Sequence, residues 1–273
     1  MLAEQRQMLI AEEIRQRGAV RVSELTELLG VSDMTIRRDL DALADSGLID
    51  KVHGGATARS QRSTEEPGFD AKSRLQSREK DAIALAAGKL VRPGQAIALG
   101  AGTTTWRLAH HLLDIPDLTV VANSVQVASV LQRDARPDRT VVLTGGVRTP
   151  SDALVGPIAL SALASLHVDV LFTGAHGMAE DAGFTTPNLL EAETNRALIS
   201  SAERVVVVAD HTKWGVRGLS RFARFDEVHM LVTDSGLTDE ARTVLGEQID
   251  EVLIAPAGRR STRPDRSDGA AGR

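Results

Sequence analysis

Over the first sixty positions the apolar residues recur at helical spacing between tight turns. Met8, Leu9 and Ile14 write a first helix that ends at Gly18, and Val20 and Val22 make a short extended piece. Ser23 is a good N-cap for a helix over 24–29, which Gly30 terminates. Ser32 caps a third helix over 33–44, with Gly47 beyond its end. On this helix Ile36, Leu40 and Leu43 fall at i, i+4, i+7 and form one apolar face, while Met34, Thr35, Arg37, Arg38 and Asp41 point elsewhere. Positions 48–52 then alternate like a strand, and His53-Gly54-Gly55 is a turn.

From Ser77 the texture changes. Apolar runs at 95–99, 118–122, 140–143, 168–172, 204–209 and 228–232 alternate with amphipathic stretches at 106–113, 125–132 and 189–202. Strands that alternate with helices predict an α/β domain with a mostly parallel sheet. In such sheets ligands bind beyond the C-terminal strand ends, and that is where Gly, Thr, Asn, Asp and Lys collect here. Positions 59–76, polar and carrying Pro67-Gly68, read as a linker, although parts are compatible with helix. The Gly-, Arg- and Ser-rich tail after Pro256 reads as disordered. The expected organisation is therefore a small helical domain over 1–58, a linker over 59–76, an α/β domain over 77–256 and a tail over 257–273.

Composition narrows the function classes. The 273 residues, 42% hydrophobic, suffice for two cores. The absence of cysteine excludes disulfides and thiolate metal sites and fits a cytoplasmic location. The longest apolar runs, such as 205–209, are strand-sized, and the first seventeen residues lack the apolar stretch of a signal peptide, so no membrane role is expected. A net charge of −5 argues against indiscriminate nucleic-acid binding, so any DNA contact has to come from a local patch.

Such a patch is present. Two short helices around Gly30-Val31-Ser32 make a helix-turn-helix, and adjacent Arg37 and Arg38 on the second can reach phosphates and guanine edges in a major groove. The strand and turn that follow suggest a wing, with His53 and the glycine backbone near DNA. Residues 1–56 hold seven Lys and Arg against ten Asp and Glu, so the domain as a whole is not basic, and a helical protein-interaction module is the competing reading. In the larger domain, the turn 100–105 suits an anion: its glycines admit close backbone approach, its threonines donate, and a helix N-terminus follows. A simple Thr-capped strand-to-helix turn explains the same residues equally well. The turn is neither a phosphate-binding Gly-Lys-Ser/Thr loop nor a dinucleotide fingerprint, because Thr105 stands where the third glycine belongs. Lys213 follows a strand end and can neutralise a phosphate, against an alternative as a solvated lysine. On sequence alone Glu191, beside Glu193 and Arg196, favours a solvated helix face. His176 lies between glycines, where a lone histidine is more often a satisfied loop residue than a ligand contact. Trp106 and Trp214 read as packing residues.

The stretch Val20-Arg21-Val22-Ser23-Glu24-Leu25, the phrase Thr35-Ile36-Arg37-Arg38-Asp39-Leu40 and the wing His53-Gly54-Gly55-Ala56 resemble the DeoR family of bacterial transcriptional regulators. The segments Gly102-Thr103-Thr104-Thr105, Val121-Ala122-Asn123-Ser124, Leu143-Thr144-Gly145-Gly146, Gly174-Ala175-His176-Gly177, Thr186-Pro187-Asn188-Leu189-Leu190-Glu191-Ala192-Glu193 and Ala209-Asp210-His211-Thr212-Lys213-Trp214-Gly215 resemble that family's sensor domain. The likeness spans roughly residues 3–255. It implies a winged helix-turn-helix in which Ser32, Met34, Thr35, Arg37 and Arg38 face operator DNA, with Asp39 a structural partner of an arginine; Arg21, His53 and Gly54 are further expected DNA contacts. It also implies a sensor similar in fold to ribose-5-phosphate isomerase. The sensor's effector contacts would be Gly100, Gly102, Thr103, Thr104, Thr105, Asn123, Gly145, Gly146, Gly174, His176, Glu191, Asp210 and Lys213. The implied effector is a sugar phosphate or related metabolite whose binding releases the protein from DNA. Two departures bear on that effector: Gly100-Ala101 replaces a common Asp-Ser, and Asn195 replaces a common lysine.

The reading that follows is a repressor of carbohydrate-metabolism genes, acting as a homodimer or homotetramer because a lone small module seldom binds DNA tightly enough. No catalytic residue, metal or cofactor is expected. The alternative is a sugar-phosphate isomerase-like enzyme with an appended helical domain. It needs a carboxylate base beside a carbonyl, for which only Glu191 and Asp210 are candidates. The Asp-Gly-Ala-Asp signature of the isomerases is replaced by Thr173-Gly174-Ala175-His176.

Overall fold

The computed structural model describes residues 2–17, 19–45, 48–52, 54–58, 66, 68–133 and 136–256. The chain divides into two compact units, Met1–Arg62 and Ser63–Arg273.

In the first unit α1 (Ala3–Arg17), α2 (Val22–Leu29) and α3 (Asp33–Asp45) pack on a small antiparallel sheet of β1 (Ala19–Arg21), β2 (Ile49–Val52) and β3 (Gly55–Ala58) in the order β1-β3-β2. The helical period decides the core: Ile36, Leu40 and Leu43 of α3 meet Ile10 and Ile14 of α1, Leu25 of α2 and Ile49 of β2. Ser32 caps α3, its hydroxyl oxygen accepting from the Thr35 amide at 3.3 Å. Ser23 is no cap, because α2 starts two residues earlier than expected, at Val22, with Arg21 in the N-cap position. Gly30 ends α2 in the left-handed conformation at φ 64°. Gly55 lets β3 lie against β1: a β-carbon there would stand 2.2 Å from the Val20 carbonyl oxygen.

The second unit opens with α4 (Phe69–Arg74) and α5 (Ser77–Gly88) and continues through β4 (Ala96–Leu99), α6 (Thr103–His110), β5 (Thr119–Ala122), α7 (Val125–Gln132) and β6 (Thr140–Leu143). A hairpin of β7 (Val147–Arg148) and β8 (Leu154–Val155), then α8 (Pro157–Leu163), leads to β9 (Val168–Thr173). Beyond it come β10 (Gly177–Ala179), β11 (Gly183–Thr186), α9 (Leu189–Ser200), β12 (Ala202–Val208), β13 (Ser220–Ala223), β14 (Met230–Asp234), α10 (Asp239–Gln248) and β15 (Glu251–Ala255).

Seven strands form one sheet in the order β15-β14-β12-β9-β4-β5-β6, and every neighbouring pair runs parallel. Alternation along the strands feeds two cores. Ile97, Leu99, Phe172 and Val206 face α5, α6 and α7, while Ala98, Leu171, Val205 and Val207 face the opposite layer, which contains Ala192 and Leu198 of α9 and Leu245 of α10. A second sheet, β10-β11-β13, lies in that layer.

The chain builds β4, β5 and β6 outward in one direction and then returns to place β9 on the other side of β4. The crevice between the C-terminal ends of β4 and β9 is thus a topological switch point, the place where open parallel sheets receive ligands.

Two expectations need correction. The helix expected at 106–113 begins at Thr103, so Thr103, Thr104 and Thr105 form its first turn rather than a loop before it. The stretch expected to be a linker over 59–76 ends in structure: α4 packs in the second unit, its Phe69 ring edge-on to Trp106 at 5.8 Å. Residues 59–65, and the tail over 257–273, lie outside the described residues.

Candidate DNA-reading helix and ligand cavity

On α3 the buried face consists of Ile36, Asp39, Leu40 and Leu43. The opposite face carries Ser32, Met34, Arg37 and Arg38, all exposed, with Thr35 half-buried. The Ser32 and Thr35 hydroxyls bond each other at 2.9 Å, and Arg37 Nε reaches Asp33 Oδ2 at 3.1 Å, one turn earlier. Arg21 and Gly54 are exposed as well. His53 lies outside the described residues. Asp39 points inward and is buried, its carboxylate accepting from the guanidinium of Arg6 and from Gln7 Nε2 at 3.1 Å. That pairing holds α1 against α3, so the aspartate that ends the Arg-Arg-Asp phrase is a framework contact.

In the second unit one cavity opens at the switch point. After β4, Gly102 turns the chain at φ 149° and no side chain caps α6, so the first-turn N–H groups beside Thr103 and Thr104 are left for a ligand. After β9, Gly174, Ala175 and His176 form the facing wall; after β12, Asp210 and Lys213 close the third side. Glu191 comes from the first turn of α9, which Asn188 caps by accepting from the Leu190 and Glu191 amides. Of the thirteen residues expected to contact effector, eight line this cavity: Gly102, Thr103, Thr104, Gly174, His176, Glu191, Asp210 and Lys213.

The other five do not line it. A β-carbon on Gly100 would be 2.7 Å from Thr173 Oγ1, so this glycine serves strand packing. Thr105 is fully buried and its hydroxyl donates to the Gly102 carbonyl at 3.0 Å. Asn123 accepts from the Ala101 amide at 2.8 Å and donates to the Leu154 carbonyl at 3.3 Å, fixing the turn after β4. Gly145 and Gly146, both with positive φ, carry the chain from β6 into the β7-β8 hairpin.

Electrostatics set the cavity's character. Glu191 is buried rather than on a solvated face, and its carboxylate accepts from Thr149 Oγ1 at 2.6 Å, Thr186 Oγ1 at 3.1 Å and the Ser151 hydroxyl. Asp210 spends one oxygen on the Thr212 amide and hydroxyl, while Oδ2 is buried with no hydrogen-bond partner. Both ring nitrogens of His176 are likewise buried and unbonded. Burial, then the charges of Lys72 and Lys213, press the imidazole down to a pKa of about 3, so it is neutral. Partly satisfied polar groups on the residues that line a concave space mark a place for a polar ligand.

Several wall residues escaped sequence reasoning. Lys80 is buried and donates to the Lys72 and Leu75 carbonyls at 2.7 and 2.8 Å, and burial lowers its pKa to about 8. The signal was available, since Lys80 precedes Ile83, Ala84 and Ala87 at i+3, i+4 and i+7 and so lies on the apolar face of α5. Glu66, Phe69 and Lys72 also line the cavity, from the stretch taken for a linker, where nothing in the polar pattern distinguished them. Burial raises the Glu66 carboxyl above its ordinary range, opposed by the ion pair with Lys72. Ala101 and Asn195, two of the family departures, are in the wall itself.

Among the described residues no helix is long and apolar enough to cross a membrane. Comparison with known proteins is consistent along the chain. Residues 6–62 match the DeoR-like helix-turn-helix domain and residues 75–235 the DeoR C terminal sensor domain. The HTH-type transcriptional regulator YulB of Bacillus subtilis is 34% identical over 95% of this chain and 100% of its own length. A putative aga operon transcriptional repressor of Escherichia coli O157:H7 is 32% identical over 92% and 93% respectively. The transcriptional repressor AccR of Agrobacterium fabrum is 34% identical over 91% and 94%. A solved D-ribose-5-phosphate isomerase in complex with phospho-erythronic acid is 18% identical, covering 50% of this chain and 52% of its own, with a TM-score of 0.37. The winged helix-turn-helix, the parallel-sheet sensor and relatives that are regulators rather than enzymes place the chain in the DeoR family of DNA-binding transcriptional regulators.

Proposed function

We propose that this regulator represses carbohydrate-metabolism genes in the cytoplasm and leaves its operator when a sugar phosphate or related metabolite occupies the sensor cavity. The observation that carries the ligand assignment is convergence: residues from the ends of β4, β9 and β12 meet in one cavity with Lys72, Lys80 and Lys213 in its wall. Three lysines and the uncapped start of α6 suit an anionic group. Asp210 Oδ2 and the neutral His176 suit hydroxyls. Relatives named for an aga operon and as a repressor support the output and its metabolic setting.

DNA is read by α3, with Arg37 and Arg38 as base or phosphate contacts, Ser32, Met34 and Thr35 beside them, and Arg21, His53 and Gly54 on the flanking backbone. The protein acts as a homodimer or homotetramer that sets two reader helices on paired half-sites. Effector binding changes the sensor, and the connection through 59–76 alters reader spacing, by no more than the effector's differential affinity for the two states.

The test is fluorescence anisotropy of a duplex from upstream of the protein's own gene, at two salt concentrations, with and without a panel of sugar phosphates. Competitor-resistant, salt-sensitive binding that one sugar phosphate weakens is the expected outcome. Specific binding that no member of the panel changes would sink the effector class, and binding that any competitor DNA abolishes would sink operator recognition.

A further inference from the structure

The residue in the cavity wall nearest in sequence to the first unit is Glu66, four positions beyond Arg62, where that unit ends. Its side chain is 10% exposed and forms an ion pair with Lys72, with Oε2 3.9 Å from His176 Nδ1. Six charged residues line the cavity, Lys72, Lys80 and Lys213 against Glu66, Glu191 and Asp210. The charges balance only while Glu66 is counted.

The three carboxylates are not equivalent. Glu191 is held by three hydroxyls, and Asp210 is held by Thr212, both on the rigid ends of elements. Glu66 has no such cradle: its partner is the end of one flexible lysine, and it stands outside any helix or strand. Burial opposes its charge, so return to water is favourable once something else satisfies Lys72.

We infer that the Glu66 carboxylate is an internal stand-in for the effector's anionic group, occupying the cavity until a phosphate monoester or carboxylate displaces it. This rests on the cavity being the effector site. The arriving anion takes over Lys72 and keeps the lysine charge compensated. The expelled Glu66 belongs to the stretch that leads back to the DNA-binding unit, so ligand occupancy is converted directly into a change in that stretch. A self-occupied cavity lowers apparent affinity by the fraction of molecules in which it is free. Ligands lacking an anionic group cannot replace the carboxylate and would not release the chain.

The test is calorimetric titration of inorganic phosphate into full-length wild type, Glu66→Gln, Glu66→Ala and the double variant Lys72→Ala, Lys213→Ala, with thermal melts confirming that each is folded. The expected result is phosphate binding about tenfold tighter in both Glu66 variants, the factor lost when nine-tenths of the molecules are self-occupied. That gain persists at about 0.5 M KCl, where through-space repulsion between exposed charges is screened, and the double lysine variant abolishes binding. Unchanged or weaker binding in folded Glu66 variants, with the double lysine variant still abolishing it, overturns the stand-in and leaves the effector cavity in place. A gain that disappears in high salt also overturns it, because removal of a charge at a distance then explains the result. Phosphate binding that survives in the double lysine variant overturns both, since the anion is then held outside this cavity.

Discussion

At the scale of single residues, helical phase separates the exposed charged groups of α3 from the one built into its core. Arg37 and Arg38 are exposed on α3 while Asp39 between them and the core is buried against Arg6, so three consecutive charged residues divide by helical phase. Arg38→Ala is expected to cost about 1–3 kcal/mol of operator binding and to relax specificity at one position, or to weaken all sequences equally if the contact is a phosphate. Anisotropy against a set of single-base operator variants tells these apart. Retained affinity in the double variant Arg37→Ala, Arg38→Ala would show that α3 is not the reader. His176 gives a pH prediction. Its folded pKa, about 3, lies below the unfolded value near 6.5, so the folded state binds fewer protons between them. Stability is intact above pH 6.5 and falls as pH drops toward 3, by at most about 5 kcal/mol from this group. Urea titrations at a series of pH values should show a shallower acid loss in His176→Gln than in wild type.

At the scale of elements, short ones depend on single positions. The wing exists because Gly55 admits the Val20 carbonyl within 2.2 Å of where a β-carbon would sit. Gly55→Ala forces β1 and β3 apart, with an expected loss of about 1–3 kcal/mol, measurable as a lower urea midpoint and weaker operator binding. Unchanged values for both would mean that β3 tolerates displacement. Ser32→Ala removes the α3 cap and should cost about 1 kcal/mol of stability, read by the same titration. The pattern of α5 shows how an element can be legible while its chemistry is missed. Its apolar face was readable, and Lys80 stood on it, but only the fold shows that this lysine closes the end of α4.

At the scale of the whole molecule, reading and sensing are separate units that must be coupled. Lys213→Ala is expected to keep operator affinity and lose the effector response, because the change is confined to the second unit. An anisotropy titration with effector present checks this, and equal loss of operator affinity would place Lys213 in the framework instead. Dimeric reading predicts that a duplex with two half-sites about 10–10.5 base pairs apart binds far more tightly than one with a single half-site, and that moving them by half a turn abolishes the gain. Equal affinity for both duplexes would indicate a monomeric reader.

The sequence by itself determined what depends on neighbours a few residues apart. Helical phase marked the exposed face of α3, apolar runs marked six strands of the parallel sheet, and glycine-rich strand ends marked the side on which the cavity opens. Eight of the expected effector contacts meet in the cavity for that reason. Tertiary structure alone decided what depends on residues far apart. Strand order placed β9 beside β4 and so located the crevice. The hydroxyls of Thr149 and Ser151, forty residues from Glu191, turned an apparent surface carboxylate into a buried one. Packing of Phe69 on Trp106 drew a polar stretch, and Glu66 with it, into the sensor. Periodicity reports which face of an element avoids water, but not which distant groups meet it there.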